Sequence, residues 1–454
     1  MKIFKRLLVI LTVICVCFSL LFVFSCENED SGNTIDISSY VIVVPENAST
    51  SVKYASENLA SLINEKIGIT LDIVDDSSAE VENEILIGAT NRDESSVSAV
   101  LDGAQYLLFE KNGKIVMQGN GIYVGAACGA FINEYADLNG SAEIDISRVP
   151  TSESVLTYTP CETAKSVIFM IGDGMGKVHV EMAEENGLDG FVGKEFLTIG
   201  TAITRSQSVL NGEASYTDSA ASGTALSTGY KTINGYVGID KDQNVLLNVR
   251  ELAHSMGAGT GVITTDVITG ATPSSFMCHH SSRDDSEVLQ EQIDALIEGG
   301  KIDYCKGDVG NSLTNEIKSA LNLLVKDDSF FLMVEEGLID KASHNKDAEN
   351  AIKYVIRFDD AIEYATQFAL CHPDVALIVT ADHETGKLTK NPLKENDFRF
   401  LSYQHTNVDV GVYALGAGVS IFNEQRVENI ELAKFCASVY SNEKFGQDEV
   451  TVNK

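Results

Sequence analysis

The sequence predicts an α/β protein in which a mainly parallel sheet lies between two layers of helices, forming a three-layer α/β/α sandwich preceded by a smaller α/β domain. From about residue 162 onward, apolar runs alternate with segments of helical periodicity. The apolar runs are continuous, as is typical of parallel strands buried on both faces. The chain has 454 residues and is 44% hydrophobic, which is enough for more than one domain with a sizeable core.

The larger predicted domain covers residues 162–454. Its sheet is built from apolar runs that each end at a polar or glycine-containing segment. The strands predicted in this way are Ser166–Ile171, Gly261–Thr265, Phe330–Val334 and Val375–Val379. Apolar residues at helical spacing predict helices at 246–256 and 348–371, which would cover the sheet.

The smaller domain is predicted at residues 35–150, with strands at 40–44, 84–88 and 114–119 and helices at 50–66 and 123–135. It contains no histidine and no cluster of candidate ligands. The segments ILIGATNR and KIVMQGNG resemble the non-catalytic N-terminal side domains of bacterial hexosaminidases and glucuronidases. The resemblance implies a role as spacer or docking domain.

The N-terminus predicts export. Lys2, Lys5 and Arg6 precede an apolar run from Leu7 to Phe24, and Ser25-Cys26 then resembles a bacterial lipoprotein cleavage box. We expect a signal peptide at 1–25, lipid on Cys26, a polar tether at 26–34, and a membrane-anchored protein on the periplasmic or extracellular side. The alternative is an uncleaved anchor, because the apolar run is nearly long enough to span a bilayer.

The charge of the chain excludes some partners. Asp and Glu total 66 against 33 Lys and Arg, giving a formal net charge of −33. Such a surface repels nucleic acid, so we expect no nucleic-acid binding. The sequence has no CxxC motif, which argues against a zinc–thiolate site.

Polar side chains follow each of the four predicted strands. Asp173 follows the first, Asp266 and Thr272 the second, Glu335 the third, and Asp382 and His383 the fourth. In open α/β sheets the site lies at the carboxyl ends of the strands. One such Asp would be an ordinary turn or cap residue, but four strands delivering oxygen and imidazole ligands to one edge predict a metal centre.

The ligand types predict which metals bind. Asp340 and His344 are four residues apart, so they share one face of a helix and suit one zinc ion. A further site built only from Asp, Thr and Glu oxygens suits magnesium.

Ser219 is the candidate nucleophile. The small residues that follow it, in TDSAASGTA, allow a helix to begin close to a ligand, and a helix N-terminus attracts anions. A lone serine there is usually an N-cap. Beside metal ions it is better suited to attack, because a metal lowers the pKa of its hydroxyl.

Six segments together resemble the bacterial alkaline phosphatase family over about residues 165–425: VIFMIGDGMG, TDSAASGTALSTGYKTINGYVGID, TTDVITGATPSSF, MVEEGLIDKASH, VTADHETG and QHTNVDVGVYALG. The resemblance implies a serine phosphoenzyme formed at two zinc ions with one magnesium ion. The implied first zinc site is Asp340, His344 and His405. The implied second zinc site is Asp173, Ser219, Asp382 and His383, and the implied magnesium site is Asp173, Thr272 and Glu335.

The resemblance also implies the residues that contact substrate. Arg283, eleven residues beyond Thr272, would bind phosphate, and Lys341 would assist it. Gly270 stands where relatives often carry Asp or His, which predicts weakened magnesium binding. Glu336 is expected to lie beside the centre without binding metal, because adjacent strand residues point to opposite faces.

The predicted activity is hydrolysis of small-molecule phosphate monoesters. The alternatives are a phosphodiesterase of the same superfamily and an inactive surface binding protein. The chain between Asp303 and Ser329 is shorter than in larger relatives, so the sequence leaves monomer and homodimer open.

Overall fold

A computed structural model describes residues 34–448 except 137, 139, 395 and 443. The predicted signal peptide, Cys26 and all but the last residue of the predicted tether lie outside the described residues. Among those that are described, no helix combines the length and apolar character needed to cross a membrane. The six cysteines of this part of the chain are free thiols.

The N-terminal part forms a six-stranded sheet with the order β3-β2-β4-β6-β5-β8, together with a separate pair, β1 and β7. Its strands are β1 Thr34–Asp36, β2 Val41–Val44, β3 Ile73–Asp75, β4 Glu84–Ile87, β5 Gln105–Lys111, β6 Lys114–Gly119, β7 Glu143–Asp145 and β8 Val155–Thr157. The sheet extends past the predicted domain end at 150, because β8 pairs with β5. Helix α1, Thr50–Ile67, begins at the Ser49 N-cap and ends at Gly68, which adopts the left-handed conformation. Helix α2 covers Val124–Ala130, and its continuation to 136 is a π-helical turn, so the predicted helix is interrupted.

The C-terminal part is organised around an eight-stranded sheet with the order β12-β11-β13-β9-β14-β19-β10-β20. Its strands are β9 Ser166–Gly172, β10 Thr198–Ile203, β11 Gly259–Thr264, β12 Tyr304–Lys306, β13 Phe330–Glu336, β14 Val375–Thr380, β19 Val410–Gly416 and β20 Arg426–Glu428. All neighbouring pairs are parallel except those made by β19. Every residue of the central strand β9 is buried, as the continuous apolar run predicts. The mainly parallel sheet with flanking helices confirms the predicted fold class.

Helices cover the two faces of this sheet. They are α3 Lys177–Glu184, α4 Gln207–Leu210, α5 Ser219–Thr228, α6 Val249–Ser255, α7 Ala271–Ser275, α8 Ser286–Glu298, α9 Leu313–Leu324, α10 Leu338–His344, α11 Ala348–Cys371 and α12 Ile430–Val439. Four short strands form two small antiparallel ladders beside the sheet: β15 Glu384–Thr385 with β18 His405–Thr406, and β16 Leu388–Lys390 with β17 Phe398–Phe400.

Helix α11 joins the two parts of the molecule. The Tyr54 hydroxyl on α1 donates to Asp360 Oδ1 at 2.8 Å, and the Gln367 side chain on α11 donates to the Ile122 carbonyl at 2.9 Å. The Tyr54 and Tyr364 rings also meet edge to face, with centroids 5.3 Å apart. The smaller sheet is therefore packed onto the helical layer of the larger one.

Candidate metal centre

The ligand-bearing strands are neighbours in the sheet. Strands β11, β13, β9 and β14 lie side by side, and their registers align Thr264 with Glu335, Glu335 with Ile171, and Ile171 with Thr380. The residues that follow these positions therefore reach the same edge. The structure thus brings the predicted strand-end residues to one place.

The first donor cluster consists of Asp340, His344 and His405. Helix α10 presents Asp340 and His344 on one face, and β18 brings His405 beside them. Asp340 Oδ1 lies 3.3 Å from His344 Nε2 and 3.4 Å from His405 Nε2. His344 is half-buried, so this cluster faces the outside of the protein.

The hydrogen bonds of the two imidazoles determine their tautomers. His405 Nδ1 donates to the Thr217 carbonyl at 2.8 Å, and His344 Nδ1 donates to the Tyr403 carbonyl. In the neutral rings both Nε2 atoms then carry lone pairs. These two atoms are 2.9 Å apart. Two facing lone pairs beside a carboxylate repel one another unless a cation binds between them, so the cluster suits zinc.

The second cluster consists of Asp173, Asp382 and His383, and all three residues are buried. His383 Nε2 lies 3.6 Å from Asp173 Oδ1 and 3.2 Å from Asp382 Oδ2. Both carboxylate oxygens are buried without a hydrogen-bond partner among the described residues. Unpaired buried oxygens are costly, and an imidazole nitrogen with two such oxygens is a donor set that suits zinc.

Burial and mutual repulsion shift the pKa values of this cluster. Burial, followed by the charge of Asp382, raises the pKa of Asp173 well above its usual value. Burial, with the charge of Asp340 next, raises the pKa of Asp382 to about 6. Burial lowers the pKa of His383, and the charge of His405 lowers it further. The protein alone therefore disfavours the ionised carboxylates that a metal ion would stabilise.

A third set, made only of oxygen donors, lies beside the second cluster. Thr272, on α7, is almost fully buried, and its Oγ1 has no hydrogen-bond partner within the described part of the chain. Glu335 Oε2 accepts a hydrogen bond from Thr264 Oγ1. Burial, with added repulsion from Asp266 and Asp382, raises the pKa of Glu335 to about 8. Together with Asp173, these residues supply the hard oxygen ligands that magnesium prefers.

Ser219 lies next to the second cluster, and its Oγ is 3.2 Å from His383 Nε2. It is the first residue of α5, whereas Asp218 is the N-cap and accepts from the Ala221 N–H at 3.0 Å. The capping alternative for Ser219 is therefore wrong, because Asp218 already occupies that position. This leaves the Ser219 hydroxyl available at the N-terminus of a helix.

Arg283 is anchored beside Ser219. Its Nη1 donates to Asp218 Oδ2 at 3.3 Å, and Asp218 Oδ2 also accepts from the Gly235 N–H at 2.9 Å. One carboxylate thus caps the helix of Ser219 and positions the guanidinium. The role of Asp218 could have been found from the sequence, because this residue directly precedes a serine and a run of small residues.

Glu336, the acidic residue next to Glu335, is bound by other protein side chains. Glu336 is fully buried and paired with Arg357, whose Nε and Nη2 lie 2.7 Å and 2.6 Å from its two carboxylate oxygens. It also accepts from Thr265 Oγ1 at 2.8 Å. Glu336 is thereby occupied by protein contacts, as the strand alternation predicts.

Two further residues, Thr385 and His179, support the donor clusters. The Thr385 hydroxyl donates to Asp340 Oδ1 and lies 3.2 Å from His383 Nδ1. Since that hydroxyl proton is used on Asp340, His383 Nδ1 donates to Thr385, which leaves His383 Nε2 with the lone pair. The buried His179 holds the Ser343 hydroxyl at 3.0 Å, next to His344. No spacing rule in the sequence identifies Thr385 or His179. Lys341, which the sequence predicts to contact substrate, is ion-paired with Asp266.

The comparisons with known proteins concern the family and the fold of this chain. The family model described as alkaline phosphatase matches residues 164–311 and 296–395, which together span about half of the chain. Alkaline phosphatase 4 of Bacillus subtilis (strain 168) is 30% identical over 289 residues, covering 50% of this chain and 62% of the relative. The alkaline phosphatase of Escherichia coli (strain K12) is 38% identical over 125 residues, covering 26% of each chain.

Solved structures match the larger sheet and its helices. The alkaline phosphatase from the Antarctic bacterium TAB5 superposes with a TM-score of 0.55 at 27% identity, covering 62% of this chain and 99% of that chain. A variant of the TAB5 enzyme with Mg bound in its M3 site has a TM-score of 0.56 at 26% identity, covering 63% and 100%. The chain spans 62% and 61% of the length of the first two curated relatives it matches. Because the family model matches about half of the chain, this chain belongs to the alkaline phosphatase family.

Proposed function

We propose that the protein hydrolyses phosphate monoesters through Ser219 at a centre of two zinc ions and one magnesium ion. The observation that carries this proposal is the position of Ser219 Oγ, 3.2 Å from the lone-pair nitrogen of His383, where the buried cluster adjoins the open one. The family membership of the chain supports it. The comparisons extend over only part of the relatives' length, so activity and substrate are inferred from the residues.

The donor sets assign each ion. Asp340, His344 and His405 would hold one zinc ion, and Asp173, Asp382, His383 and Ser219 the other. Asp173, Thr272 and Glu335 would hold magnesium. When bound, the ions would lower the pKa of the serine hydroxyl and of water, and would stabilise the charge on the leaving oxygen.

The protein residues then perform the transfer in two steps. Arg283, held by Asp218, binds two oxygens of the phosphoryl group through its planar guanidinium. Ser219 Oγ loses its proton and attacks phosphorus, the bond to the alcohol oxygen breaks, and phosphoserine forms as the protonated alcohol leaves. In the second step water attacks phosphorus and the bond to Ser219 Oγ breaks, so that inorganic phosphate is released and Ser219 regains its proton. The free N–H groups of α5 and its dipole favour the negative charge throughout.

A substrate panel tests the activity. The full-length protein is loaded with zinc and magnesium, its metal content is measured, and kcat/KM is compared for p-nitrophenyl phosphate and bis-p-nitrophenyl phosphate. We expect about two zinc ions per chain and a mono- to diester ratio far above one. A ratio below one would assign the protein as a diesterase, and no zinc uptake with no turnover would assign it as a binding protein.

We also propose that the protein is exported and attached through a lipid on Cys26. The basic, apolar and Ser25-Cys26 order of the N-terminus supports this. Mass spectrometry of the mature N-terminus tests it, because an intact, unlipidated Met1 would contradict the lipid anchor and favour the uncleaved segment.

A further inference from the structure

Lys341 and Asp266 form an ion pair at the outer edge of the oxygen-donor set. Lys341 Nζ contacts Asp266 Oδ1, the Asp266 N–H donates to Thr264 Oγ1 at 3.0 Å, and Thr264 Oγ1 in turn donates to Glu335 Oε2. A continuous line of contacts therefore runs from the ammonium group to the proposed magnesium ligand. The lysine predicted to bind substrate is occupied by this carboxylate.

Two glycines bring the Asp266 side chain close to the same set. A Cβ atom on Gly337 would lie 2.9 Å from Asp266 Cβ and 3.4 Å from Glu335 Cδ, so the two acidic side chains flank one glycine. A Cβ atom on Gly270 would lie 3.4 Å from Asp266 Oδ2. The second oxygen of Asp266 thus faces the position where the family resemblance expects an Asp or His side chain.

Two members of the oxygen-donor set have oxygens that the protein leaves unsatisfied. Thr272 Oγ1 and Asp173 Oδ1 are buried, and neither has a hydrogen-bond partner among the residues that the structure describes. Both residues are buried, with 1% and 8% of their residue surfaces exposed. The Asp173 carboxylate oxygen can only accept, so the neighbouring carboxylates cannot satisfy it and a cation would.

We infer that Asp266 supplies, from a different position of the same loop, the carboxylate that is absent at Gly270, and that it holds the magnesium ion through a bound water. The inference rests on the proposed function. Magnesium keeps several of its waters in proteins, and nearby carboxylates accept hydrogen bonds from them. Lys341 balances the added negative charge and fixes the Asp266 rotamer, so it is a positioning residue.

With Asp266 in this role, Gly270 should not weaken magnesium binding, contrary to what the sequence alone predicts. The test is the magnesium dissociation constant of the zinc-loaded protein, measured by isothermal titration calorimetry. In the wild-type protein the Val267 N–H donates to Asp266 Oδ1 at 2.7 Å. Asp266→Asn keeps an oxygen acceptor for this N–H but removes the negative charge. We expect its dissociation constant for Mg²⁺ to rise about 10- to 100-fold, the range typical of lost outer-shell partners, with zinc content and Tm unchanged.

A matched control removes the same charge from a neighbouring exposed residue. The Asp308 N–H donates to the Asp266 carbonyl at 2.7 Å, and Asp308 has a φ of 55°, which Asn adopts readily. Asp308→Asn should leave the magnesium dissociation constant within about twofold of the wild-type value, because solvent and salt screen the charge of an exposed side chain.

A second variant pair tests whether a carboxylate at this place is sufficient. Gly270 is the N-cap of α7, with φ −54° and ψ 155°, a conformation open to Asp. Asp266→Ala should weaken Mg²⁺ binding, and adding Gly270→Asp to it should restore most of the affinity. A purely structural role for Asp266 would not be rescued in this way.

Two results would overturn the inference. Asp266→Asn could bind Mg²⁺ as tightly as the wild type, or it could lose zinc and magnesium together with a lower Tm. Wild-type protein that binds no Mg²⁺ would also overturn the magnesium site of the proposed function, whereas normal wild-type binding with an unaffected Asp266→Asn variant would overturn this inference alone.

Discussion

His383 and His405 stack face to face, with ring centroids 3.6 Å apart and an interplanar angle of 22°. The two rings belong to different donor clusters, one buried and one open. Because these two rings are in contact, the two clusters lie next to each other and form a single centre. Since Ser219 Oγ lies 3.2 Å from His383 Nε2, the proposed nucleophile lies where the two clusters meet.

Ser219→Ala should remove the activity without unfolding the protein. The hydroxyl is the proposed nucleophile, so kcat/KM for p-nitrophenyl phosphate should fall by about a thousandfold or more, as for other deleted nucleophiles. Circular dichroism and zinc content serve as checks on folding and metal binding. Ser215→Ala, at an exposed serine of the preceding loop, is the matched control, and activity retained in Ser219→Ala would contradict the assignment.

Glu335→Gln and Glu336→Gln should fail in different ways. Glu335→Gln should lose Mg²⁺ binding, because a neutral amide replaces a proposed metal ligand. Glu336→Gln should keep Mg²⁺ binding but lower the free energy of unfolding by about 3–5 kcal/mol, because it leaves Arg357 without its buried partner.

Metal analysis together with urea unfolding distinguishes these two variants. If Glu336→Gln loses magnesium and Glu335→Gln does not, the ligand is the other glutamate and the proposed donor set is wrong.

Arg283→Lys should weaken the binding of inorganic phosphate. Lysine keeps the positive charge but loses the planar pair of donors that Asp218 positions. Loss of one charge-assisted hydrogen bond, worth about 1.5–3 kcal/mol, predicts a rise of about tenfold or more in the inhibition constant of phosphate. An unchanged inhibition constant would show that Arg283 does not contact the phosphoryl group.

Asp359→Asn should flatten the pH dependence of stability. Burial raises the pKa of Asp359 on α11 to about 8, whereas its ordinary value is 3.8. Between these values the unfolded chain ionises but the folded protein keeps the proton. Stability is therefore lost as pH rises through this window, by up to about 1.4 kcal/mol per pH unit, and levels off above about pH 8.

The Asn variant has no such proton and keeps the 2.8 Å hydrogen bond from the Val192 N–H. Urea unfolding of both proteins at pH 5 and pH 8 measures the effect, and Glu363, whose pKa burial raises to about 7, contributes to the pH dependence of both proteins. A difference between the proteins that does not grow with pH would contradict the burial argument.

Much of the sheet and its ligand positions could be predicted from the sequence. Buried parallel strands produce continuous apolar runs, and their carboxyl ends must share an edge, so Asp173, Glu335 and Asp382 could be grouped before any contact was known. The helix at 348–371 was also predicted with its observed ends, because Asp347 caps it and its apolar residues recur at helical spacing.

The tertiary structure decided how neighbouring polar residues divide their partners. Asp266 and Lys341 are 75 positions apart in the sequence, and Glu336, at the end of β13, meets Arg357 on α11. Such pairs form only where particular loops and helices converge, and the local periodicity of a sequence does not encode that convergence. The sequence by itself therefore determined which residue types reach the edge of the sheet, whereas the packing of the loops determined whether each carboxylate faces a metal site, an arginine or a lysine.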